Sequence, residues 1–133
     1  MKSRDTLIRL KRFHVDEKRR QVAQIEAMIA EFDRMAGELD REIAVEQSRA
    51  GIDDPAHFAY PTYAKAAITR RDNLKRSADE LKTQLEEARA QLAEAFEELK
   101  KVEILEERDQ HRERTAESRA EQAELDRIGA HRA

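Results

Sequence analysis

Leu74–Val102 reads LKRSADELKTQLEEARAQLAEAFEELKKV, and the spacing of its apolar residues decides the fold. From Leu74, alternating steps of three and four land on Ala78, Leu81, Leu85, Ala88, Leu92, Ala95, Leu99 and Val102, nine seam positions without a polar interruption. That is a coiled-coil heptad. Between the seam positions the chain is almost entirely Lys, Arg, Glu, Asp, Gln, Ser and Thr, so only one narrow face of this helix can leave water. Such a face requires a partner helix.

The segment before it supplies one. From about residue 3 to residue 49, Ile8, Val15, Val22, Ile29, Ala36 and Ile43 fall one heptad apart, with Lys11, Lys18, Ile25, Phe32, Leu39 and Glu46 as the companion track. The seam is apolar on both tracks from Val22 to Ile43. Toward the N-terminus one track turns basic, which suggests an end packed less deeply or facing something other than the second helix. Gly37 is a weak spot inside this helix, costing up to ~1 kcal/mol against Ala. Asp5 or Ser3 is suited to cap its start.

The periodicity breaks at Gly51-Ile52-Asp53-Asp54-Pro55, followed by Ala56-His57-Phe58-Ala59-Tyr60-Pro61-Thr62. Both prolines and one of the three glycines of the chain lie in this stretch, and Asp54-Pro55 and Pro61-Thr62 are helix-initiating signals. The chain therefore turns once, over about residues 50–61. From Thr62 to about Ile128 neither Pro nor Gly interrupts, and Gly129 is a stop signal.

Two long helices joined by one short turn make an antiparallel hairpin, because so short a connection cannot bring the chain back to run parallel. The predicted fold class is all-α: a long two-helix antiparallel coiled-coil hairpin, a single domain over residues 1–133. With the turn centred near residue 56, position i faces roughly position 112 minus i, which puts Ile8 opposite Ile104 and Ile43 within about five residues of Leu74, its expected partner. At 1.5 Å per residue helix two runs about 100 Å and helix one only about 70 Å. The chain beyond about Gln110 therefore outruns its partner, and the seam fails there too, at Glu106, Asp109 and Glu113. A protruding, charged C-terminal helix follows, held by pairs such as Asp109 with Arg112 and Glu124 with Arg127, or else a stretch ordered only on binding.

Composition agrees with a thin rod rather than a globule. Of 133 residues 41% are charged and 39% apolar, too few apolar ones to fill a sizeable core. Charge is nearly balanced, 26 Lys plus Arg against 29 Asp plus Glu, so the chain lacks the overall basic footprint of a nucleic-acid binder. The absence of Cys removes disulfides, thiolate nucleophiles and zinc–thiolate clusters. The opening residues carry mixed charge with no apolar stretch long enough for a signal peptide or a membrane span, so the reading is a soluble, cytoplasmic protein.

No catalytic chemistry is legible. His14, His57, His111 and His131 are scattered, without a His-x-x-x-His or Glu-x-x-His pair, so no metal site is expected. The carboxylates are many, but a hairpin offers no desolvated cleft to separate their pKa values. Neither a Gly-rich phosphate loop nor a nucleophile elbow occurs. The chain reads as a non-enzyme with no cofactor.

Three features exceed a generic coiled coil. The first is the basic N-terminal third, with Arg9, Lys11, Arg12, Arg19 and Arg20, and with Phe13, Leu7 and Leu10 on faces the seam leaves unused. It is either a solvated face whose aliphatic stems cover the seam or a docking surface. The second is the overhang, with Arg108, Arg112 and Arg119 among many glutamates. An isolated charged helix adds nothing to stability, which favours a partner. The third is the turn, where Phe58, Tyr60 and Tyr63 are three of six aromatics in the chain. They either pack over the hairpin end or form an exposed aromatic anchor.

The opening Leu7-Ile8-Arg9-Leu10-Lys11-Arg12-Phe13-His14-Val15-Asp16-Glu17-Lys18-Arg19-Arg20-Gln21, with Lys100-Lys101-Val102-Glu103-Ile104-Leu105-Glu106-Glu107-Arg108 and Arg119-Ala120-Glu121-Gln122-Ala123-Glu124-Leu125-Asp126, resembles the flagellar export protein FliJ family. The similarity extends over essentially the whole chain. The resemblance implies a cytoplasmic component of the flagellar type III export apparatus: an antiparallel coiled coil similar to the stalk of rotary ATPases. Such proteins sit in the hexameric ring of the export ATPase, contact the membrane export gate and are linked to export chaperones. Carried onto this chain, the free ends, Arg9 to Arg20 and Arg108 to Arg127, are where the ring would be met, and the gate contact falls on the body or turn side. Membrane association would run through protein contacts only.

Rival readings make different predictions. The equivalent stalk of a virulence-type type III secretion system shares the shape and mechanics, and only the terminal matches quoted above separate the two. A general coiled-coil scaffold or chaperone would use the central seam, so truncating the overhang would leave binding intact. Nucleic-acid binding by the basic segment would show steep salt dependence and equal affinity for unrelated duplexes.

Overall fold

Two helices account for nearly all of the chain. In the computed structural model, which describes residues 2–132 and the side chains of residues 3–131, α1 spans Lys2–Ala50 and α2 spans Thr62–Arg132. They pack against each other as an all-α helical hairpin, and the described residues contain no strand. Both are rich in Ala, Leu, Glu, Lys, Arg and Gln, the residues that lose least on becoming helical. Ser3 and Asp5, read as possible caps, lie inside α1, where Asp5 places negative charge in the first turn.

Gly51 ends α1. Its φ of 69° is left-handed, which Gly adopts without Cβ strain, and its N–H still donates to the Gln47 carbonyl at 2.9 Å. The turn is then pinned by its own polar groups. Asp54 Oδ1 accepts from Ala56 N–H at 3.0 Å, the Asp54 carbonyl accepts from His57 N–H at 3.0 Å, and the His57 carbonyl accepts from Tyr60 N–H at 3.0 Å. Lys65 N–H donates to the Pro61 carbonyl at 3.0 Å and opens α2.

The chain divides into two compact units. Glu17–Leu92 is a hairpin in itself. Its core follows the heptad, with Val22, Leu85 and Ala88 buried together and Ile25, Ile29 and Leu92 packed on them. Toward the turn the seam runs on through Ala36 and Ile43 of α1, Ala67 and Ala64 of α2, and Tyr60 in the turn just before it, all buried. The seam thus extends four positions farther back than Leu74, where the sequence reading starts it. Alanine carries a weak hydrophobic signal, yet the steps of three and four continue unbroken through Arg71, Ala67, Ala64 and Tyr60. The pairing near the turn shifts accordingly. Asp40 meets Arg71 at 2.9 Å and Glu42 meets Tyr63 at 2.7 Å, so Ile43 lies opposite the Ala64–Ala67 turn of α2 rather than Leu74.

The second unit joins residues up to Asp16 with those from Ala93. Ile8, Val15, Leu99 and Val102 are buried between its two antiparallel segments. Here two expectations need correction. Lys11 does not turn away from α2: its ammonium lies 3.8 Å from Glu98, and its half-buried stem covers the seam. Glu106 and Asp109 are not where pairing fails, because both are half-buried seam positions that receive Arg4, itself one heptad step before Ile8. Within Glu17–Leu92 the same substitution of a polar contact for an apolar one occurs at Lys18, which donates to Gln91 at 3.2 Å.

Past this point α2 continues with nothing beside it among the described residues. From His111 to His131 every residue is exposed except the half-buried Thr115. Arg127 pairs with Glu124 as the spacing predicts, whereas Asp109 is taken by Arg4 rather than by Arg112. Gly129 does not stop the helix, which runs through it to Arg132. No competing turn is formed there, and a glycine in a helix costs only ~1 kcal/mol.

Candidate partner-binding surface

Heptad geometry sets the two flanks of the seam. In an antiparallel pair the e positions of the two helices face each other along one flank and the g positions along the other. In the unit formed by the two chain ends, the e flank is ionic: Arg12 lies 3.6 Å from Glu103. The g flank carries Leu7 and Leu105, with Leu10 beside them at a c position; Phe13 and Ile104 are f positions, on the outer backs of α1 and α2. These five are between 39% and 55% exposed. Lys101, Arg108 and Arg112 lie along the g side of α2, all exposed. The g flank is therefore a small apolar patch, Leu7, Leu10 and Leu105, with a basic margin, continued by the unpaired helix His111–His131.

The expected residues divide between the two flanks. Arg108, Arg112 and Arg119 are exposed along the g side of α2, whereas Arg9 and Arg12 are exposed on the e side, Phe13 on the outer back of α1, and Lys11 is half-buried and committed to Glu98. The sequence reading did not single out Ile104 and Leu105, which are 46% and 48% exposed. The available signal was their place off the heptad, where the seam cannot bury them.

The other candidates belong to Glu17–Leu92. Arg19 and Arg20 are exposed on α1. The three aromatics of the turn do not act as a set. Tyr60 is 7% exposed and accepts a hydrogen bond from Gln47 Nε2 at 2.9 Å, so it packs over the hairpin end and presents no anchor. Tyr63 is half-exposed and donates its hydroxyl to Glu42 at 2.7 Å, and this carboxylate pushes the phenol pKa up. Phe58 alone projects: it is 97% exposed and stacks on His57 with ring centroids 4.7 Å apart.

Electrostatics here is the chemistry of ion pairs on a surface. Asp109 is held below the usual carboxylate range, chiefly by the hydrogen bond from Arg4 and further by the charges of Arg4 and Arg112. Glu31 is lowered in the same way by Arg34, which bridges Glu31 and Glu38 at 2.5 Å each. Among the described residues no charged side chain is buried, and no group of three His, Asp or Glu is arranged to hold a metal ion. No described helix is long and apolar enough to cross a membrane.

The fold defines an all-α helical-hairpin protein. The model of the flagellar FliJ protein family matches residues 2–133, and the chain belongs to that family. No curated protein and no solved structure matches it. At the level of the family it is a flagellar export-related stalk protein, of a non-enzymatic structural and adaptor kind.

Proposed function

We propose that the chain is the cytoplasmic stalk and adaptor of the bacterial flagellar type III export apparatus, binding the hexameric export ATPase and coupling it to the membrane export gate and to export chaperones. The observation that supports this most is the end formed by the two termini. An apolar patch with a basic margin stands beside a helix that continues from His111 to His131 with no neighbour to stabilise it. A helix of mostly charged residues, standing alone, contributes little to folding. Its use lies in what it contacts.

The mechanism needs no chemistry of its own. A ring of ATPase subunits cycles through states, and a stalk biases that cycle if its contacts differ in strength between them. Exposed arginines supply such contacts, because a guanidinium binds a carboxylate in a directed, two-pronged way. Arg9, Arg12, Arg108, Arg112 and Arg119 carry this role, with Leu7, Leu10 and Phe13 as the apolar anchor. Association with the membrane then runs through the gate protein rather than through lipid.

Binding to the purified export ATPase, measured by titration calorimetry, tests the assignment. Replacing Leu7, Leu10 and Phe13 together by Ser leaves the seam intact and should weaken binding at least about tenfold, the consequence of removing central anchors. Phe58→Ala should leave it unchanged. Equal loss in both variants, or in neither, would remove the assignment of this end to the ring.

A further inference from the structure

Within Glu17–Leu92 the two flanks of the seam differ in kind. The e flank consists of Arg19, Glu26, Asp33, Asp40 and Gln47 on α1 with Ile68, Lys75, Lys82 and Arg89 on α2, seven charged positions of nine. Pairs cross it: Glu26 lies 3.6 Å from Arg89 and Asp40 lies 3.9 Å from Lys75. The g flank consists of Gln21, Met28, Met35 and Glu42 with Tyr63, Arg70, Ser77, Gln84 and Gln91, two charged positions of nine. No seam function explains that difference, since either flank would be closed equally well by ion pairs.

The g flank is also shaped. Met35, Glu38, Leu39, Glu42, Tyr63 and Arg70 line one hollow, and a second, lined by Arg41, Glu42, Val45, Glu46 and Tyr63, shares Glu42 and Tyr63 with it. Met28, Val45 and Tyr63 are 47%, 48% and 56% exposed. The two internal methionines of the chain therefore lie one heptad apart on a single open strip. Unbranched thioethers adapt to the shape of what covers them, which suits a contact surface.

Charge selects the occupant. The c positions lie beside g on each helix, and here they read Glu31 and Glu38 on α1 and Glu80 and Glu87 on α2, all exposed. Arg34 neutralises part of the first pair and Arg70 is a cation at a g position of α2, yet against Glu31, Glu38, Glu42, Glu80 and Glu87 the strip stays net acidic. A weakly polar strip edged on both sides by glutamates is complementary to one shape of ligand. We infer that the g flank of Glu17–Leu92, from Met28 to Tyr63, is a groove that seats a single basic amphipathic helix of a partner protein, its apolar stripe on Met28, Met35 and Val45 and its Lys or Arg residues on the glutamate edges. A second copy of the chain does not fit: it would bring glutamate edges against glutamate edges. An anionic lipid surface is disfavoured for the same reason. This inference does not rest on the role proposed for the chain ends.

The test uses the full chain and three synthetic peptides of equal length: a helix with Leu on one face and Lys beside it, the same composition scrambled so that no face forms, and the amphipathic form with Glu in place of Lys. Binding is read by fluorescence anisotropy, and its location by the ¹³C-methyl resonances of Met28 and Met35. The basic amphipathic peptide should bind at least tenfold more tightly than either control and shift both methyl signals. Glu80→Lys with Glu87→Lys, at exposed positions that leave the seam untouched, should weaken it tenfold or more, and Met28→Lys with Met35→Lys should do the same. Equal binding of the scrambled peptide, unchanged methyl signals, affinity indifferent to these substitutions, or no binding at all would each overturn the inference. So would methyl shifts that grow with protein concentration alone, which would make the face an interface between copies.

Discussion

Arg4 of α1 reaches Asp109 of α2, so the last layer of the seam is closed by an ion pair, next to the buried apolar residues Ile8 and Val102. The pair sits at the boundary between paired and unpaired α2. The Asp109 carboxyl is depressed, first through the hydrogen bond from Arg4. A carboxyl whose folded pKa is depressed contributes stability that is complete above its unfolded pKa and disappears as pH falls through the folded one. Acidification should therefore loosen this end. Thermal unfolding followed by circular dichroism from about pH 7 to about pH 2 should show a smaller loss of Tm in Asp109→Asn than in the parent chain. Identical slopes would mean that the pair contributes nothing to this end.

Gly37 interrupts α1 without a structural reason. A Cβ added there meets nothing within 4 Å, and its backbone is ordinary helix. Gly37→Ala should raise stability by ~0.5 to 1 kcal/mol, the difference in helix propensity between the two residues, in urea unfolding. A decrease would reveal a neighbour or a bend that requires glycine.

Leu85 lies at the centre of the buried cluster with Val22 and Ala88, whereas Leu125 is 62% exposed on the unpaired helix. The same change should have unequal effects. Leu85→Ala is expected to cost about 2 to 4 kcal/mol, and Leu125→Ala less than about 0.5 kcal/mol. Similar costs at both sites would mean that the helix beyond Gln110 is packed against something.

The sequence carried the fold wherever the seam was made of large aliphatic residues, from Val22 to Ile43 and from Leu74 to Val102. It was read too cautiously at the two ends of the seam, where the positions hold Ala or a charge. Ala64 and Ala67 are buried, Arg4 and Arg71 bridge to the other helix, and Lys11 and Lys18 reach across to Glu98 and Gln91. Each of these sits on the unbroken heptad, so spacing outweighed residue type. The turn was legible as a turn from Gly51 and the prolines, but the fates of its aromatics were not. Tyr60 faces in at a position the heptad reaches only when it is followed back past Leu74, while Phe58 faces out beside His57 within turn hydrogen bonds that no periodicity encodes. The apolar patch at the chain ends was half visible, because Leu7 and Leu10 stood off the heptad while Leu105 passed as ordinary helix.

The account turns on whether the helix beyond Gln110 engages the export ATPase. The rate of ATP hydrolysis by that enzyme, measured with the full chain and with a version ending at Gln110, addresses this most directly. The truncated version retains every cross-helix pair described above and should fold as the parent does. Stimulation by the full chain and none by the shortened one is the predicted result; equal stimulation by both, or no effect from either, would contradict it.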